Sequence, residues 1–134
     1  MNPDTGRVRS ILYIEDDLVL LSAYRKRLEV AGFDVESSVD GLEAMRILAA
    51  RTFDLIILDL MVPRFSGAEI LKAIRDNPRL KSIPVVIFSA NLEAAEKSIL
   101  ELAQKALLKG QCSFQNLLQT INELLAGPAG GAGT

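Results

Sequence analysis

Asp54-Leu55-Ile56-Ile57-Leu58-Asp59-Leu60-Met61-Val62-Pro63-Arg64-Phe65-Ser66-Gly67 is the stretch on which the fold turns. Its unbroken apolar run is bounded by aspartate on both sides and followed by proline and glycine, which marks a short strand buried on both faces rather than one face of a helix. The strand, Leu55 to Asp59, delivers Asp59 to its exit. A carboxylate placed where a buried strand opens into a loop is costly unless paired or metal-bound, and in open α/β sheets that edge is where ligands gather. Asp59 is therefore the expected chemical centre.

The flanking chain repeats a rhythm of strand and helix. Upstream, Ser10-Ile11-Leu12-Tyr13-Ile14 is a β-type run ending in Glu15-Asp16-Asp17. Asp17 helps to start a first helix in which Leu21, Tyr24, Leu28 and Ala31 keep helical spacing, and Gly32 stops it. Phe33 to Val39 alternates as a second strand. Asp40-Gly41-Leu42-Glu43 then opens a second helix in the manner of a capping box, and that helix runs to about Ala50.

Downstream, Ser66-Gly67-Ala68-Glu69 repeats the capping pattern ahead of Ile70, Leu71 and Ile74, and Asn77-Pro78 ends the third helix. Pro84 to Phe88 is a fourth strand that delivers Ser89. Leu92, Ala95, Ile99 and Leu102 mark a fourth helix, and Ala106 to Leu108 is placed as a fifth strand by position alone. Ser113 caps a last helix with the stripe Phe114, Leu117, Leu118, Ile121, Leu124 and Leu125. Five alternating pairs require an α/β fold with a parallel sheet, right-handed crossovers and helices on both faces. The expected organisation is a flexible leader over 1–9, one domain over 10–126 and a flexible Gly/Ala-rich tail over 127–134.

The chain's 134 residues, 49% of them apolar, suffice for one domain whose core needs no staple. Fifteen Lys and Arg against seventeen Asp and Glu, scattered along the chain, provide no footprint for direct nucleic-acid contact. There is no histidine and Cys112 stands alone, which excludes histidine-based catalysis, an internal disulfide and a zinc cluster and fits a cytoplasmic setting. No apolar run approaches the roughly 20 residues a membrane helix needs, so no membrane partner is expected. Neither glycine-rich nucleotide fingerprint, GxGxxG or GxxxxGK[ST], is present, and phosphate chemistry in this architecture then needs another charge solution.

The alternation supplies one. It gathers the carboxyl ends of the strands, and with them Glu15, Asp16, Asp59, Ser89 and Lys109, at one rim. Three carboxylates there repel one another, and a hard divalent cation neutralises them; an oxygen-only, partly open site suits Mg²⁺. The cation would screen an incoming phosphoryl group while an Asp59 oxygen attacks phosphorus, with Lys109 pairing with the transferred group and the Ser89 hydroxyl donating to it.

On these residues the chain resembles the receiver domains of bacterial two-component response regulators. Ile11-Leu12-Tyr13-Ile14-Glu15-Asp16-Asp17 is similar to the family's acidic first-strand motif, and Leu58-Asp59-Leu60-Met61-Val62-Pro63 with Ser66-Gly67 to its phosphoacceptor segment. Phe88-Ser89-Ala90 is similar to its switch hydroxyl and Leu108-Lys109 to its fifth-strand lysine. The resemblance implies a flavodoxin-like, doubly wound sheet of order 2-1-3-4-5. It implies Mg²⁺ held by Glu15, Asp16, Asp59 and the main-chain carbonyl of Met61, and phosphorylation of Asp59 by a sensor histidine kinase or a histidine phosphotransfer protein. It further implies autodephosphorylation rather than metabolic catalysis, with signal passed to a downstream protein and a homodimer possible through helices four and five.

Three departures from the family pattern shape the remaining expectations, one being that the segment from Ser89 to Lys109 is slightly short and lacks the usual Gly-Ala before strand five. Gly110 stands where the family has a proline joined by a cis bond; a non-prolyl cis bond costs about 3–4 kcal/mol, so a trans bond and a re-routed loop from Gly110 to Ser113 are expected. Ala106 replaces the aromatic that many members swing inward on activation. The leading expectation is a stand-alone phosphorylatable receiver that signals through protein contacts. The alternative is a degenerate receiver used as a phosphorylation-independent docking or dimerisation module.

Overall fold

The computed structural model describes residues 7–93 and 95–132, the last five by main chain only. Residues 1–6 of the expected leader and 133–134 of the expected tail lie outside the described residues. Five strands, β1 Ser10–Ile14, β2 Asp34–Ser38, β3 Leu55–Leu58, β4 Val85–Ser89 and β5 Lys105–Leu108, form one sheet of order β2-β1-β3-β4-β5. All four neighbouring pairs are parallel. The expected doubly wound parallel sheet, and its order, are what the chain forms.

Burial on both faces explains the uninterrupted apolar runs. In β1, β3 and β4, alternate residues point to opposite faces, as the two-residue period of a strand requires. Leu12, Ile14, Ile56, Leu58, Val85 and Ile87 join one core with α2 Gly41–Ala50, α3 Gly67–Asp76 and the short α4 Lys97–Leu100. Ile11, Tyr13, Leu55, Ile57, Val86 and Phe88 join the other with α1 Leu18–Val30 and α5 Phe114–Ala132.

The helix starts obey local chemistry. Asp17 Oδ1 accepts from Val19 N and Leu20 N, and Ser66 with Glu69 forms a complete capping box at α3. At α2 the box is displaced by one residue: Asp40 accepts from Glu43 N, but Glu43 Oε1 accepts from Val39 N instead of the Asp40 N–H.

Two expectations need correcting. The helix over Leu92 to Leu102 shrinks to the single turn Lys97–Leu100. Its N-terminal residue Glu96 makes no side-chain cap. Before it, Asn91 Oδ1 accepts from Glu93 N; after it, the bonds tighten as Leu102 N donates to Ile99 O and Ala103 N to Leu100 O, and Arg75 Nε takes the Leu102 carbonyl at 2.7 Å. The helix-four surface expected to support a homodimer is correspondingly small. The second strand is trimmed to Asp34–Ser38. The stretch from Gly127 carries helical main chain to Ala132 after a break at Gly127 (φ 68°), with Pro128 at the restart, where its fixed φ suits a first turn.

Candidate functional site

Strand register builds the site. Ile14 pairs with Leu58, so Glu15 and Asp59 leave adjacent strands side by side, and the ladder continues one step as Asp59 N donates to Ile14 O (3.1 Å). Glu15 N donates to Ser38 O on the other flank (2.9 Å). Leu58 pairs with Ile87, and Ser89 with Leu108, so Ser89 and Lys109 complete the same rim.

Asp59 is 4% exposed and each oxygen is engaged. Its Oδ1 accepts from Met61 N (2.9 Å) and from the Ser89 hydroxyl (3.1 Å); its Oδ2 lies 2.8 Å from Lys109 Nζ. Glu15 is fully buried; its Oε1 is 2.7 Å from Lys109 Nζ and its Oε2 accepts from Asp17 N (3.0 Å). Asp16 is exposed, but one carboxylate oxygen from each of Glu15, Asp16 and Asp59 fits within 4.8 Å of the other two. All the residues picked out by the sequence meet here: Glu15, Asp16, Asp59, Ser89 and Lys109, with the Met61 main chain next to Asp59.

The electrostatics are those of an under-neutralised pit. Burial pushes the Glu15 carboxyl above the ordinary glutamate range, the Lys109 contact opposes that shift, and nearby Asp59 adds to it. Burial works against the Lys109 ammonium, yet its contacts to Asp59 and Glu15 outweigh this and hold its pKa above the ordinary lysine value. Among the described residues, Lys109 thus pairs with two of the three clustered carboxylates, Glu15 and Asp59. Hard oxygen donors at this spacing, with charge left over, fit a divalent cation of the Mg²⁺ type.

Gly110 does not misdirect the lysine. Among the described residues no peptide bond is cis, and Lys109–Gln111 forms a 3₁₀ turn that re-routes the loop while Lys109 still reaches both acids. Sequence reasoning missed what holds the loop after Asp59. Gly67 packs directly on the Asp59–Leu60 main chain, where a Cβ would fall 2.5 Å from Leu60 Cα. On the other side, Arg64 Nη2 donates to Asp40 Oδ2 (2.8 Å). The only signal in the chain was the pair of glycines directly behind two helix caps, Asp40-Gly41 and Ser66-Gly67.

A doubly wound parallel sheet with an acidic rim, a buried hydroxyl and a lysine at its carboxyl edge defines the class, and comparison with known proteins specifies it. The family model of the response regulator receiver domain matches residues 11–122. The chain belongs to that family. The polar-differentiation response regulator DivK of Brucella anthropi is 27% identical over 118 residues, 87% of this chain and 96% of that protein. A CpxR homolog of Haemophilus influenzae, a transcriptional regulatory protein, is 33% identical over 116 residues; the match covers 86% of this chain and 49% of the relative. The receiver domain of a Pseudomonas aeruginosa sensor histidine kinase superposes with a TM-score of 0.81 at 21% identity, over 90% of this chain and 100% of that domain, which holds a magnesium ion in its active-site cleft. Among the described residues no helix is long and apolar enough to cross a membrane.

Proposed function

We propose that this receiver accepts a phosphoryl group on Asp59 from a phosphohistidine of a sensor kinase or phosphotransfer protein, and that the acyl phosphate changes its protein contacts. The observation that carries the reading is the convergence of Glu15, Ser89 and Lys109 on the Asp59 carboxylate. Glu15, Asp16, Asp59 and the Met61 carbonyl would hold Mg²⁺, which when bound supplies charge neutralisation between the acids and the phosphoryl oxygens.

Asp59 is the nucleophile: its oxygen forms the new P–O bond as the P–N bond to the donor imidazole breaks and the imidazole leaves with the electron pair. The main-chain N–H of Met61 orients the carboxylate during attack. Lys109 gives up its contact with Asp59 Oδ2 to pair with a phosphoryl oxygen, and the Ser89 hydroxyl turns its donor from Asp59 Oδ1 to another. Drawing Ser89 inward moves the β4–α4 loop, which lies directly after it. A cytoplasmic setting follows from this reading, since the donor kinase acts there.

Intact mass after incubation with Mg²⁺ and acetyl phosphate, and fluorine NMR with beryllofluoride, test the reading. One adduct is expected in the wild type and none in Asp59→Asn. No wild-type adduct, or an undiminished one in Asp59→Asn, rejects it.

A further inference from the structure

Between Asp59 and α3 the main chain makes a tight reversal. Phe65 N donates to Pro63 O (2.9 Å) across Arg64, whose φ is 72°. A bulky side chain at the centre of such a three-residue turn is strained, and strain of this kind persists only where the surroundings over-determine it.

The surroundings belong to the start of α2. Pro63 O also accepts from Gly41 N (3.0 Å), and Gly41 sits so close that a Cβ would fall 1.7 Å from Phe65 O. Asp40 uses its two oxygens on two elements: Oδ1 accepts from Glu43 N as the cap of α2, and Oδ2 takes the Arg64 guanidinium at 2.8 Å. At the other end of the same loop, Met61 N donates to Asp59 Oδ1. One carboxylate therefore links the first turn of α2, through the strained residue, to the main chain beside the nucleophile.

We propose that Asp40 and Arg64 are positioning residues for the cation side of the site: their ion pair keeps the Pro63–Phe65 turn seated on α2 and so holds the Met61 main chain in register with Asp59. The proposal rests on the reading above, in which the Met61 carbonyl joins the acids around Mg²⁺. The Arg64 side chain is 58% exposed, so the pair contributes little to global stability. Its effect is on where the loop sits.

Three variants separate position from stability. Arg64→Gly suits the positive φ but removes the cation; Asp40→Ser keeps a capping oxygen but removes the charge; Arg64→Lys keeps the cation. Calorimetric Mg²⁺ titration of the metal-free full chain should show affinity falling about three- to fivefold in the first two, the most an exposed pair can transmit, and returning toward wild type in Arg64→Lys. The thermal midpoint should be unchanged or higher in Arg64→Gly, and the Met61 amide resonance should move, before metal is added, in the first two variants only. Arg64→Gly and Asp40→Ser binding Mg²⁺ within about twofold of a wild type that does bind, with the Met61 amide unmoved, overturns the proposal alone. A wild type that binds no Mg²⁺ overturns the parent reading and this proposal together.

Discussion

Gly67→Ala puts the packing argument to its sharpest test. A Cβ built at Gly67 lies 2.5 Å from Leu60 Cα and 2.6 Å from Asp59 O, where ordinary contact begins at 3.4 Å, so one side must recede by about 0.9 Å. Neither side is a flexible side-chain end. One is the first turn of α3, fixed by the Ser66–Glu69 capping box and by Ile70, Leu71 and Ile74, all fully buried; the other is the exit of β3, fixed by the ladder to β1. Alanine gains up to about 1 kcal/mol in helix propensity, but forcing a methyl into closed packing costs about 1–3 kcal/mol, so the clash wins. With the full propensity gain subtracted, the net loss is up to about 2 kcal/mol, which for a chain of this length is up to about 7 °C in Tm. The displaced backbone carries the nucleophile, and misplacement near 1 Å can cost on the order of 100-fold in rate, so phosphorylation by acetyl phosphate should slow at least about tenfold even at temperatures where the variant is fully folded. Calorimetry and timed intact-mass measurements read the two effects. A variant with wild-type Tm and wild-type phosphorylation rate refutes the claim that Gly67 is there for close approach.

Away from the site, Asp54 accepts from Ser10 N (2.8 Å) and pairs with Arg7 (2.9 Å); burial opposes its ionisation, but these contacts hold its carboxyl below the ordinary aspartate range. A depressed folded-state pKa means stability that is present above the unfolded pKa of about 3.9 and is lost as the pH falls through the folded value; the stability gap between wild type and Asp54→Asn in urea should be constant near neutrality and close in acid. Arg75 donates to Leu102 O, Lys81 O, Ile83 O and Gln104 Oε1 at 2.7–3.0 Å, tying α3 to the chain before β4 and before β5. Arg75→Lys keeps the charge but cannot span that fan of acceptors, so it should cost about 2 kcal/mol in urea denaturation and speed amide exchange in the Leu102–Gln104 turn; unchanged stability would show the acceptors are met by water instead.

What the chain could declare on its own follows from periodicity and punctuation. The apolar runs around Leu12, Ile57 and Val86 are buried on both faces, and only a parallel sheet covered by helices does that; Asp17, Asp40 and Ser66 announced their helices because capping is a bond between neighbours in sequence. Glu15, Asp16, Asp59, Ser89 and Lys109 were legible because each stands at the end of a strand, and parallel strands align their ends. Tertiary structure alone decided the rest. α4 stops at Leu100, where the chain tightens as Leu102 N turns back to Ile99 O and Ala103 N to Leu100 O, and Arg75, far away in sequence, holds the Leu102 carbonyl beyond it. Lys109 reaches Glu15 and Asp59 despite Gly110 because strand register sets its starting point. The seat of the loop after Asp59 on Gly41 and Asp40 depends on contact between elements that share no local pattern, and a period or a cap cannot encode a distance between them.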